Sequence, residues 1–162
     1  MNPRPEGTAP GVHASPSMVV VLDTNVVLDW LLFEDPRCAP LGAAIAAGRL
    51  RWIASAPMRA ELEHVLGRGI GAGRARDAST VLDCWERWSA TVEPWDQPSP
   101  RHLRCSDGDD QKFIDLALQV RASALLSRDL AVLRLARRAA LDGLAIVTIA
   151  GWEQLESRAG RR

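Results

Sequence analysis

An unbroken apolar run from Met18 to Leu22 gives way to Asp23-Thr24-Asn25, and a second apolar pattern begins at Val26. The first run is rich in Val, which is stiff at χ1 and packs well on a pleated surface. Residues 18–23 therefore read as a strand buried on both faces. A helix is expected over about 24–33, broken by Glu34-Asp35-Pro36. An Ala-rich helix from Pro36 to Ala47 then ends at Gly48, a common C-cap residue. Residues 49–54 alternate as a short strand. Ser55 is a candidate cap and Pro57 lies in the tolerated first turn of a helix over about 57–67. Gly67, Gly69, Gly71 and Gly73 space out a loop. With no strand before it and no G-K-[ST] after it, this is not a phosphate loop.

Ala78, Val81, Leu82, Trp85 and Trp88 recur at helical spacing and predict a helix over about 74–89. Thr91-Val92-Glu93 reads as a minimal strand. Pro94 to Arg104 is a loop with three prolines. Asp107-Gly108-Asp109-Asp110 opens a helix to about Val120, residues 123–127 form a buried strand, and Arg128-Asp129 closes it. A helix over about 130–141, a last strand over 144–148 and a closing helix over 152–158 complete the chain. Strands alternate with helices throughout, which implies parallel strands joined by crossovers. The expected fold is α/β: a three-layer α/β/α sandwich with a mostly parallel sheet. We expect one domain over residues 18–158, a flexible leader over 1–17 and a tail over 159–162. No internal repeat is present.

Composition changes this picture little. At 162 residues, 47% hydrophobic and 25% charged, the chain is long enough to bury one sizeable core. Formal net charge is zero, so no global basic field advertises nucleic acid, although a local patch would suffice. The cations are 19 Arg and a single Lys, Lys112. Cys38, Cys84 and Cys105 are odd in number and lack C-x-x-C spacing, which argues against a zinc knuckle and reads as free thiols. Residues 1–17 carry no apolar signal core, and the run from Met18 to Phe33 is interrupted by Asp23, Asn25 and Asp29. The expectation is a cytoplasmic protein with no membrane partner.

The chemistry lies in the acids. In open α/β sheets ligands bind outside the carboxyl ends of the strands. Asp23 and Asp129 each end an apolar strand and open a helix, so each can cap that helix or face a ligand. Helices running back along a parallel sheet start at the same edge, which places Asp110 and Glu61 there too. Asp107, Asp109 and Asp115 are rivals to Asp110, and Glu63 reads as a solvated helix residue. Two like charges about 4 Å apart repel by roughly 4 kcal/mol at an effective dielectric near 20. Such a cluster calls for a proton or a cation. Oxygen ligands with no His or Cys beside them suit Mg²⁺ or Mn²⁺, which can activate water and clamp a phosphodiester.

Four stretches, in order, carry a family resemblance: Val21-Leu22-Asp23-Thr24-Asn25; Glu61-Leu62-Glu63-His64-Val65-Leu66; Cys105 to Ala117, containing Asp107-Gly108-Asp109-Asp110-Gln111-Lys112; and Leu125-Leu126-Ser127-Arg128-Asp129-Leu130. Over about residues 18–150 the chain resembles the PIN-domain proteins, the fold of the VapC-type toxin ribonucleases. The resemblance implies that Asp23, Glu61, Asp110 and Asp129 are a catalytic, metal-binding quartet, with Asn25 and Ser127 supporting them. It implies a Mg²⁺- or Mn²⁺-dependent endoribonuclease with an RNA substrate, a cognate antitoxin and a homodimer. The family usually has Thr where Ser127 stands, often Pro at the Gly108 position and a basic residue at Asp109.

Arg68, Lys112 and Arg128 are candidate phosphate contacts; Arg74 and Arg76 follow the Glu61 helix with Arg68, and Arg101 and Arg104 flank the acids with Lys112 and Arg128. Each also reads as an ordinary surface cation. Trp30, Trp85 and Trp88 read as core or interface residues. Two other functions fit less well: a PIN fold that binds a partner without cleaving, and an aspartyl-phosphate enzyme with Asp23 as nucleophile. The latter generally has a second Asp where this chain has Asn25.

Overall fold

A computed structural model describes residues 17–70, 73 and 76–161. Residues 1–16 of the expected leader, and Arg74 of the candidate cations, lie outside them. Among the described residues five strands form one parallel sheet in the order β3-β2-β1-β4-β5: β1 Met18–Leu22, β2 Leu50–Ala54, β3 Ser89–Thr91, β4 Ala124–Leu126 and β5 Ala145–Val147. The helices are α1 Thr24–Leu31, α2 Ala39–Ala46, α3 Ala56–Gly67, α4 Ala78–Trp88, α5 Gln111–Gln119, α6 Leu130–Leu133, α7 Ala136–Leu141 and α8 Ile149–Ala159. From β1 the strands add in one direction to β3 and in the other to β5. Crossovers between parallel strands are right-handed as a rule, so crossovers in two opposite directions from β1 lay helices on both faces, giving the three-layer α/β/α sandwich.

β1 is central because its residues can be buried on both sides: Val20 and Val21 are fully buried, as are Ala124, Leu125 and Leu126 of β4 beside them. Between β1 and β4 the strand order reverses. This is the switch point at which an open α/β sheet offers a ligand crevice. Leu22 pairs with Leu126, so Asp23 and Ser127 emerge level with each other at the carboxyl edge. The core on the β2 side is aromatic: Trp52 meets Trp30 edge-on at 5.8 Å between centroids and Trp85 at 6.0 Å. Trp30 and Trp85 are thus packing residues, as the helical spacing suggests.

Several boundaries differ from the sequence pattern, three of them with a clear physical reason. The strand expected at 91–93 is Ser89–Thr91, running straight out of α4; it exists by pairing Ala90 with Ile53 and Thr91 with Ala54. The helix expected from Pro36 is a 3₁₀ turn, Pro36–Cys38, followed by α2. The helix expected over 130–141 is two pieces. Leu135 N–H donates to Val132 O at 3.0 Å in a tighter i→i−3 bond, and Leu135 turns into the core where no Gly or Pro marks the break. Among the described residues no helix is long and apolar enough to cross a membrane, and the three cysteines are free.

Candidate active site

Asp23 sits where β1 becomes α1. Its φ/ψ of −63°/150° keeps it extended while its carbonyl already accepts from Val26 and Val27. Its carboxylate is almost completely buried and is held by two donors. Ser127 Oγ donates to Oδ2 at 2.7 Å, and the Asn25 backbone N–H donates to Oδ1 at 3.3 Å. Asp23 therefore caps α1 and also faces the switch point; the two roles coexist. Burial raises its pKa, the hydrogen bonds from Ser127 and Asn25 work the other way, and the charges of Glu61 and Asp129 add to the rise.

Asp129 repeats the arrangement after β4. Its backbone N–H donates to Ser127 Oγ at 3.0 Å and its Oδ1 caps α6 by accepting from Ala131 N–H at 2.8 Å. Ser127 is thus a fully buried link between the two strand ends, accepting from Asp129 and donating to Asp23.

Glu61 arrives from α3, half-buried, with both oxygens engaged. Thr24 Oγ1 donates to Oε2, and Lys112 Nζ lies 2.9 Å from Oε1. Each side chain of the Lys112–Glu61 pair is about a quarter exposed, 25% and 27%. Lys112 also donates to the backbone carbonyl of Asp109.

Asp110 closes the group. It stands at the junction of a 3₁₀ turn, Gly108–Asp110, with α5, and its side chain makes no capping bond. Its Oδ2 is buried and has no hydrogen-bond partner among the described residues. Desolvation, followed by the charges of Asp23, Asp129, Asp107 and Glu61, raises its pKa from 3.8 to about 7. Two of its three rivals are engaged by other groups. Asp107 accepts from Asp109 N–H at 3.0 Å, and Asp115 accepts from Ser99 and from Gln111 Nε2. Glu63 is exposed beside Arg59, as expected of a solvated helix position.

The four acids therefore share one field at the carboxyl edge of the sheet. They are not already drawn up as a chelate: among the described residues no group of three or more His, Cys, Asp or Glu side chains is arranged to hold a metal ion. The all-oxygen donors and the orphaned Asp110 Oδ2 suit a hard divalent cation, and holding one at several acids requires side chains, Glu61 above all, to turn. Asn25 supplies its backbone N–H.

The candidate phosphate contacts divide. Lys112 is inside the site, tied to Glu61. Arg128 is turned onto Asp29, with Nε 2.8 Å from Oδ2. Arg68 is exposed at the C-cap of α3. Thr24 was not a candidate, although it stands between two residues that were; its hydroxyl is the donor that fixes Glu61.

A family model of the PIN domain matches residues 19–131. No curated protein matches the chain. Among solved structures, the fold is similar to a chain in the crystal structure of VapBC2 from Rickettsia felis bound to a DNA fragment from their promoter. The TM-score is 0.55 at 13% identity, over 80% of this chain and 97% of that one.

Proposed function

The chain belongs to the PIN-domain family, and from that premise we propose that it is a Mg²⁺- or Mn²⁺-dependent endoribonuclease, the toxin of a toxin–antitoxin pair. One observation carries this reading. Four carboxylates from four separate segments meet at one edge of the sheet, where burial first and the neighbouring charges second push the Asp110 pKa up to about 7, while its Oδ2 has no partner among the described residues.

Asp23, Asp110 and Asp129, with Glu61 once turned, would hold the cation. A divalent ion there supplies Lewis-acid polarisation of a phosphoryl oxygen and a lowered pKa for water. The chain's own residues do the positioning. Ser127 and the Asn25 N–H fix the Asp23 carboxylate, the Ala131 N–H fixes Asp129, and Thr24 and Lys112 fix Glu61. Lys112 also brings a positive charge to the edge of an otherwise acidic crevice, where a substrate phosphate must approach. None of the carboxylates needs to become a covalent nucleophile.

The toxin part rests on likeness to the VapBC2 chain and to the VapC-type motifs. A cognate antitoxin would inhibit by laying a peptide across the crevice with an Arg among the carboxylates. A homodimer belongs to the same proposal, by resemblance to the VapC-type proteins.

Incubation with RNA and with DNA in Mn²⁺, with and without chelator, tests the activity. We expect chelator-sensitive cleavage of RNA. An Asp23→Asn or Asp129→Asn protein that cleaved RNA at the wild-type rate in Mg²⁺ would overturn the reading. A second reading, a PIN fold that acts through a partner without cleaving, is favoured by the engagement of both Glu61 oxygens. It requires that millimolar Mn²⁺ leave the thermal stability unchanged, since a ligand confined to the native state stabilises by mass action.

A further inference from the structure

Trp95 is 66% exposed, an indole displayed to solvent on the loop between β3 and α5. The loop around it is not loose. Trp95 N–H donates to Gln119 Oε1 at 3.0 Å, Gln119 Nε2 donates to Glu93 O at 2.8 Å, and Ser99 Oγ donates to Asp115. Three side-chain hydrogen bonds thus staple the loop to α5, and Pro94, Pro98 and Pro100 fix φ along it. The backbone that carries the aromatic ring is thus held in place, and the exposed ring adds little to the core.

Beside Trp95 lies a cavity of about 280 Å³, bounded by Pro57 at the start of α3, by Pro98, and by Lys112 and Leu116 of α5. That volume lies just under the roughly 300 Å³ at which pockets for drug-sized ligands begin, and it suits a single planar ring. Lys112 is the wall common to this cavity and the acidic crevice, because the same ammonium group touches Glu61. A chain with a phosphate at Lys112 would therefore have a neighbouring group beside the cavity.

We propose that this cavity is a nucleobase subsite, in which an unpaired base next to the scissile phosphate stacks on Trp95. The proposal rests on the ribonuclease reading above and gives one base of the RNA a place in this chain. Stacking on an aromatic ring tolerates any base, since every base has a π-face. Lys112 would meet the phosphate on the near side of that base. The Gln97 amide, which also lines the cavity, offers both a donor and an acceptor to the base edge.

The test compares wild type, Trp95→Ala and Trp95→Phe in the full chain, using a short fluorescein-labelled single-stranded RNA in chelator, where cleavage is suppressed. A parallel oligonucleotide series carries one abasic sugar moved along the strand. We expect Trp95→Ala to weaken binding roughly 5- to 100-fold, and Trp95→Phe to restore most of it. One abasic position should weaken wild-type binding while leaving Trp95→Ala unaffected. Because Trp95 is exposed, the variants should melt with the wild type. If wild type and Trp95→Ala bind RNA equally, the subsite is overturned and the nuclease reading stands. If wild type neither binds nor cleaves RNA, both fall. If Trp95→Ala keeps its RNA affinity and loses affinity for a co-expressed protein, the surface is a protein contact and the subsite is again overturned.

Discussion

Ser127 Oγ donates to Asp23 Oδ2 at 2.7 Å, a bond that ties the end of β4 to the end of β1 at the point where the strand order reverses. The same oxygen accepts from Asp129 N–H. One hydroxyl therefore sets the spacing of two carboxylates. Ser127→Ala should leave Asp23 Oδ2 buried and unpaired, raise the Asp23 pKa further and lower divalent-cation affinity. Partners one step removed from a metal typically contribute 10–100-fold in affinity or activity, and we expect a loss in that range. Ser127→Thr keeps the hydroxyl and should retain most activity. Calorimetric titration of each variant with Mn²⁺ measures the change.

Asp110 makes cation-free stability depend on pH in a defined direction. Its folded pKa of about 7 exceeds the unfolded value of 3.8. Between those values the folded protein holds a proton that the unfolded chain has lost, so stability falls as pH rises from about 4 to about 7. Above that window the site carries the full cost of an unpaired carboxylate. With solvent screening we expect about 1 kcal/mol, a Tm shift of roughly 2–4 °C. Asp110→Asn should flatten the pH profile in chelator, raise Tm at pH 8 and abolish cleavage. Mn²⁺ should raise the wild-type Tm at pH 8 and leave Asp110→Asn nearly unmoved. A wild-type Tm that rose with pH across this window would contradict the assignment.

Much of this was legible from the chain, for identifiable reasons. Asp23 and Asp129 stand at the ends of apolar strands, and parallel topology alone carries Glu61 and Asp110 to the same edge. What could not be read depends on partners distant in sequence. Thr24 acquires its role from Glu61, 37 positions away. Arg128, a candidate phosphate contact beside Asp129, pairs with Asp29, 99 positions away. Ser89-Ala90-Thr91 has no strand pattern of its own and becomes one by pairing with β2. Trp95 shows no periodicity, because a loop held by Gln119 imposes none.

Gly42 tests the packing of the β2 side independently of the site. A Cβ built there would lie 2.6 Å from Trp30 Nε1. In an open helix Gly→Ala would stabilise by roughly 0.5–1 kcal/mol. Here the added methyl must push back Trp30, whose ring meets Trp52 edge-on. Overpacking of this kind costs about 1–3 kcal/mol, so Gly42→Ala should lower the urea midpoint. Mn²⁺ affinity should not change, because Gly42 lies in α2, away from the acids. An unchanged or raised midpoint would show that Trp30 yields freely.

Lys112 gives the sharpest separation between holding the acids and meeting the substrate. Its ion pair with Glu61 is partly exposed, so Lys112→Gln should cost only about 0.5 kcal/mol of stability. Removing the ammonium frees Glu61 Oε1 and leaves the crevice more negative, so Mn²⁺ affinity should rise several-fold by calorimetry. RNA binding should weaken, because the cation that faces the approaching phosphate has gone, and cleavage at saturating Mn²⁺ should fall with it. Glu61→Gln predicts the reverse balance: weaker Mn²⁺ binding, with RNA affinity in chelator kept or improved because Lys112 is no longer neutralised. The double variant separates the two roles. If the pair only holds the fold, the effects on stability will be coupled and those on RNA binding absent. If Lys112 also meets phosphate, its loss will weaken RNA binding whether or not Glu61 is present.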